Sequence, residues 1–271
     1  MTNELNLCQS KLIDVCKVAD AKLMYAEELC FAPKYERLKA LLDDGALGEP
    51  VLFKQSEKHD GPNSDHFWDI ESSGGGVTMD MGCHAIQFFR CLHPKKNIKL
   101  VYAQIMTRVH QDKTEGEDNS IIILKLEDVV TAIMEESWTK LGDMDDKVEV
   151  HGSEGVAYAD ILQGNSIQTY SNKGVDYAVE KIGNTIGWGY TMFEGSWNHG
   201  FPQEFKHLMD CVKNDKQPLV TGVDGKTVQK LILAAYESTE TGKKVLLPFK
   251  SDVDIPYKLV EESIVVTFQL F

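Results

Sequence analysis

The 271-residue sequence is 42% hydrophobic, 26% charged and 9% aromatic, the profile of an ordinary globular chain. A chain of this length buries roughly three quarters of its unfolded surface, which excludes a disulfide miniprotein, a disordered chain and a repeat array. Lysine and arginine total 28 against 42 acidic residues, and the net charge of −14 repels phosphate backbones and argues against nucleic acid as a partner. No run approaches the ~20 apolar residues of a membrane span, and the start lacks the basic-then-apolar pattern of a leader. Six cysteines, at 8, 16, 30, 83, 91 and 211, form no Cys-x-x-Cys pair. Reduced thiols in a cytoplasmic protein are expected, rather than disulfides or a zinc site.

In chain order, Glu4 to Ala19 reads as a helix with Leu5, Cys8, Leu12, Val15 and Cys16 on one side. Lys22 to Cys30 reads as a strand with an apolar first half. Pro33 opens a helix whose stripe is Tyr35, Leu38, Leu41 and Leu42, and Gly45 suits its end. Val51 to Ser56 is a short strand, 57–76 a long loop, and Val77 to Leu92 a third helix with Met81, Ala85, Phe88 and Leu92 inward. From Leu100 a β meander is predicted. It comprises a hairpin of 121–126 and 129–134, then VEVHG, VAYADI, SIQTYS and VDYAVE, with turns about every ten residues. Residues 183–201 read as a surface loop. Pro202 starts a helix with Phe205, Leu208, Met209 and Val212 inward. Asp224 caps another with Val228, Leu231, Ile232 and Ala235 inward, ended by Gly242. Val245 to Phe249 is a closing strand, and a tail over 251–271 ends in a β-prone run. Segregated helices and antiparallel strands predict an α+β domain with one large, mostly antiparallel, open-faced sheet covered by helices on one face.

The most informative segment is SGGGVTMDMGCHAIQFFR, residues 73–90. Gly74, Gly75 and Gly76 allow a tight turn or a close backbone approach. Asp80, His84 and Gln87 fall at i, i+4, i+7 on one face of the predicted helix. A carboxylate beside an imidazole is a candidate acid/base pair, and equally a satisfied buried pair. Glu204, His207 and Cys211 form a second polar stripe. With Asp80 and His84 they would make a metal site for an isomerase or hydrolase, but a lone Glu-x-x-His lacks the ligand count, so a solvated helix face and no metal are expected. Trp68 with His59 and His66, and Trp188, Tyr190, Phe193, Trp197 and His199, suit the faces and hydroxyls of a sugar or cyclitol; they would equally plug the sheet end or a subunit contact. No Gly-x-Gly-x-x-Gly opens a helix after a strand, and no P-loop, Gly-x-Ser-x-Gly or His-Glu-x-x-His occurs.

Taken together, KLMYAEELCFAPKYERLKALLDDGALGEP, GPNSDHFWD, SGGGVTMDMGCHAIQFFR, SW at 137–138, EVHGSEGVAYAD, GFPQEFKHLMDCV and AAYESTETGKKVLLPF resemble the Gfo/Idh/MocA oxidoreductases. The resemblance implies an N-terminal Rossmann domain that binds NAD or NADP and a C-terminal α/β domain that carries the substrate site and oligomer contacts. It implies hydride transfer at a hydroxyl of a sugar, cyclitol or related polyol, with His84 as acid/base and Asp80 orienting it. Trp68, Trp188 and His199 would line the substrate cleft, and Glu27 and Glu28 would face the cofactor. The glycine fingerprint, the ribose-binding acid and the Glu-Lys-Pro motif of the family are missing from the sequence, so nucleotide binding by these residues alone is not expected. Residues 1–32 are then read as a Rossmann remnant, 33–250 as the substrate and oligomerisation domain, and 251–271 as a tail. A homodimer or homotetramer through the open sheet face is expected. The alternative is a non-catalytic sugar-binding or assembly module.

Overall fold

The computed structural model describes residues 4–127, 130–142, 144–162, 167–172, 186–191 and 195–249. The chain runs α1 (Glu4–Val18), a 3-10 turn (Glu28–Phe31), α2 (Pro33–Asp43), β1 (Pro50–Lys58), a second 3-10 turn (Asp65–Trp68), α3 (Ile70–Ser73), α4 (Val77–Asp80) and α5 (Gly82–Leu92). It continues through β2 (Ile98–Met106), β3 (Asn119–Leu126), β4 (Thr131–Ser137), β5 (Asp145–Gly152), β6 (Val156–Asp160), β7 (Ile167–Ser171) and β8 (Gly187–Thr191). Three helices and a short strand follow: α6 (Gly195–His199), α7 (Phe201–Lys213), α8 (Gly222–Thr241) and β9 (Val245–Leu246).

Seven strands form one sheet in the order β6-β5-β1-β4-β3-β2-β9, and β7 pairs with β8 separately. All neighbours are antiparallel except β1 and β4, which run parallel with Glu57 opposite Glu136. Period-two alternation sends Phe53, Val101, Ala103, Ile122, Leu124, Ala132, Met134, Val148 and Val150 to one face, where they are buried. Helices α5 and α8 lie on that face, and Phe53 meets Phe89 at 5.1 Å between ring centroids. The opposite face carries side chains such as the exposed Ile121 and the Lys54–Glu149 ion pair. The expected sheet, covered on one face, is present. The expected β3–β4 hairpin is present, with Ile122 opposite Met134.

Several local expectations are corrected. Residues 22–27 are not a strand: Met24 makes an isolated bridge to Thr221, and Tyr25 donates its N–H to Val220 O. Leu23 and Tyr25 are instead covered by α8, where Gly222 and Gly225 leave room for them. The inward side of α1 is that of Ser10 and Ile13 against α8, so Leu12 and Val15 are exposed. The helix predicted over 77–92 breaks at Met81 into α4 and α5. Part of the expected loop at 183–201 is ordered as β8 and α6. On α7, Phe205, Met209 and Val212 are 67%, 66% and 58% exposed, because Glu204 and Cys211 face inward instead. An amphipathic period shows that one side is apolar, not that it is covered. The expected strand VDYAVE and the 251–271 tail lie outside the described residues.

Candidate active site around His84

The glycine run is explained by what approaches it. Gly74 takes the left-handed conformation (φ 81°) that ends α3. Gly76 lies so close to Glu117 that an added Cβ would stand 2.0 Å from the Glu117 carbonyl oxygen. The buried Glu117 carboxylate accepts from Gly76 N, from Thr78 N at 2.9 Å and from Tyr236 Oη at 2.7 Å. These bonds occupy N–H groups at the start of α4 and fix the entry into α5.

His84 sits in the first turn of α5. Its Nδ1 is 3.1 Å from Glu27 Oε1 and 3.6 Å from Glu28 Oε2, just before and at the start of the first 3-10 turn. The His84 side chain is 24% exposed and that of Glu27 is 0% exposed, so the ring joins a sealed carboxylate to the surface. Helix α7 supplies a third acid, since Glu204 Oε1 accepts from Glu27 N at 2.5 Å. Burial pushes the Glu27 carboxyl up to about 7, against the pull of the His84 ring. Burial opposes the charged ring, yet Glu28, Cys83 and Glu27 together hold His84 well above its ordinary value. Burial also raises Glu204.

A row of acids crosses the end of the sheet nearby. Glu57 lies opposite Glu136 on one side and Asp146 on the other, all three buried, and Tyr35 Oη donates to Asp146. Burial, then Glu57 and Asp146, hold Glu136 well above the usual carboxylate range, and His84 acts on it in the opposite sense. The signal was readable: Phe53-Gln55-Glu57 and Ala132-Met134-Glu136 follow the inward period of their strands.

Of the sequence-predicted residues, the structure brings together His84, Glu27 and Glu28. It adds Glu204, which is buried rather than on a solvated face. Asp80, on α4, accepts from Trp138 Nε1 at 2.9 Å, and the carboxylates against the His84 ring are those of Glu27 and Glu28. Trp68 packs at 5.5 Å from Trp138 and 5.1 Å from His110. His199 is buried in α6 with Nδ1 2.8 Å from Gly195 O. Trp188 lies in β8 opposite Tyr170, and its side chain lies outside the described residues. His207 accepts from Leu219 N at 2.8 Å and neighbours Cys211. The expected absence of any metal-binding group meets one exception among the described residues: Glu27, Glu28 and His84 offer donor atoms within 4.8 Å of one another.

A nicotinamide dinucleotide does not fit these residues. Its pyrophosphate needs a cradle of backbone N–H groups at a glycine-opened helix, and the sequence has no such fingerprint. The surroundings of His84 are anionic and would repel a diphosphate.

Residues 35–158 match the GFO/IDH/MocA C-terminal domain. The chain is 24% identical over 246 residues to a myo-inositol 2-dehydrogenase of Thermotoga maritima, covering 90% of this chain and 70% of that protein. It is 23% identical to an NAD(+)-dependent scyllo-inositol 2-dehydrogenase of Bacillus subtilis, over 88% of this chain and 68% of that one. The crystal structure of GenD2 from gentamicin A biosynthesis, in complex with NAD, superposes with a TM-score of 0.82 at 26% identity, over 89% of this chain and 68% of GenD2. No helix among the described residues is long and apolar enough to cross a membrane. On this fold and these matches, residues 35–158 carry the GFO/IDH/MocA C-terminal domain, and the chain is similar to inositol dehydrogenases over most of its length.

Proposed function

We propose that this chain is the substrate-binding half of an oxidoreductase that acts on a hydroxyl of a sugar, cyclitol or related polyol. In this reading residues 33–250 form the substrate and assembly domain, and the open sheet face joins copies into a dimer or tetramer. The observation that carries the proposal is the contact between His84 and Glu27: a partly accessible imidazole held at Nδ1 by a sealed carboxylate. The ring takes the proton of the reacting hydroxyl, and Glu27 and Glu28 stabilise the imidazolium that forms. Asp80 fixes Trp138 beside the start of α5 and so positions the ring indirectly. Trp68, Trp188 and His199 line the polyol cleft. Relatives named as inositol dehydrogenases and a D-xylose 1-dehydrogenase support the substrate class. Oxidation also needs a hydride acceptor, and no step involving one is assigned to these residues.

A second reading, a non-catalytic polyol-binding or assembly module, is favoured by the poor fit of a dinucleotide to the residues present. Calorimetric titration of the full chain with myo-inositol, scyllo-inositol, D-xylose, NAD(H) and NADP(H) separates the two. Polyol binding that weakens in His84→Asn, together with nucleotide binding, supports the first. Polyol binding alone supports the second. Absence of polyol binding overturns both.

A further inference from the structure

The donor atoms around His84 already stand at the spacing of atoms that share one metal ion. Two ligands that each lie about 2.1 Å from a tetrahedral zinc ion are about 3.4 Å apart. The ring nitrogen of His84 is 3.1 Å from one Glu27 oxygen and 3.6 Å from one Glu28 oxygen. An independent observation also points to a ligand. Glu27 is completely buried, and its second oxygen, Oε2, is sealed from water without a hydrogen-bond partner. A buried carboxylate oxygen in that condition is unusual unless an ion or water completes it. The charge surroundings agree: Glu204 abuts the Glu27 backbone, and Glu57 acts on Glu27 from the sheet.

We propose that Glu27, Glu28 and His84 form a binding site for a divalent first-row metal ion, with Zn2+ as the best-matched occupant. One imidazole with two carboxylates suits Zn2+ or Mn2+, whereas Ca2+ and Mg2+ take oxygen shells. Three protein ligands leave a fourth position open to water or a substrate oxygen. The ion takes the place of the proton between the ring and Glu27, and its two positive charges offset the two carboxylates. The inference goes beyond the polyol reading and does not rest on it.

The test uses the full chain, purified without a histidine tag and stripped of metal. Titration with ZnCl2 by calorimetry is expected to show one ion per chain. Loading with CoCl2 is expected to give the visible absorption of a low-coordinate site. Glu28→Gln and His84→Gln are each expected to weaken Zn2+ binding at least about tenfold with an unchanged circular dichroism spectrum, whereas His151→Gln, at a half-buried histidine of β5 that pairs with Glu149, leaves it unchanged. If Glu28→Gln fails to fold, His84→Gln decides. No binding, or affinity that both variants keep within about twofold, overturns the proposal. Titration of the metal-free protein with myo-inositol keeps the two ideas apart. Polyol binding without metal binding overturns only the metal site, and metal binding without polyol binding overturns only the polyol reading.

Discussion

Glu27 Oε1 and His84 Nδ1 meet at 3.1 Å although 57 positions separate the two residues in the chain. The carboxylate is sealed and the ring is not, so the pair links the interior to the surface through one proton. Glu28, Glu204, Cys83 and Glu57 are among the titratable groups that act on it.

The pair makes stability depend on pH in a stated direction. Burial pushes Glu27 from its ordinary 4.5 up to about 7, so across that window the folded chain holds a proton that the unfolded chain has released. Stability is therefore lost as the pH rises through it. His84, raised above its ordinary value against the effect of burial, contributes stability that is complete below 6.5 and lost as the pH rises through its folded value. Both act in the same direction. The stability of the wild type relative to Glu27→Gln is expected to fall by on the order of 3 kcal/mol from pH 4.5 to 7. Urea denaturation of both proteins across that range checks it; a difference that stays flat or rises with pH would count against the assignment.

Gly76 and Gly142 separate two uses of glycine. A methyl group at Gly76 would strike the Glu117 backbone, whereas at Gly142 (φ 88°) nothing lies within 4 Å. Gly76→Ala is expected to cost more than about 3 kcal/mol, and Gly142→Ala about 1 kcal/mol from backbone strain alone. Equal midpoints in urea would contradict this.

Tyr236 Oη donates to the buried Glu117 carboxylate at 2.7 Å. Tyr236→Phe keeps the ring and removes the donor, and a loss of about 1 to 3 kcal/mol is expected. Thermal unfolding measures it, and a variant as stable as the wild type would show that the bond contributes nothing net.

Trp138 is fully buried and donates to Asp80 at 2.9 Å. Trp138→Phe is expected to lower stability by about 1 to 3 kcal/mol through the lost charged hydrogen bond and smaller ring. If Asp80 positions His84 through this contact, the variant also weakens polyol binding in the same calorimetric titration; unchanged polyol affinity would limit Asp80 and Trp138 to a structural role.

Much of the fold was legible because it rests on local period. The inward stripe of α5, with Ala85, Phe88 and Leu92, and that of α8, with Val228, Leu231, Ile232 and Ala235, follow the helical repeat and are buried as expected. The cap of α8 was legible only in part: Asp224, expected as the cap, is the third residue of the helix and accepts from Thr221 N at 2.9 Å, Thr221 being the cap itself. His84 was legible as a candidate by residue type and by its apolar helix. Its contact with Glu27 was not, because 57 positions separate the two residues and the only carboxylate near His84 in the sequence is Asp80.

Sequence by itself determined the faces of the strands and the inward stripes of α5 and α8, along with the glycine turn at Gly74, since each depends on residues within a few positions of one another. Only the tertiary structure decided that Glu27, His84 and Glu204, from three separate segments, share one buried site. It also decided that the apolar side of α7 faces outward. The physical reason is the same in both cases. Periodicity specifies which way a side chain points along its own element, whereas the partner it meets is set by how distant elements pack their shapes and charges against each other.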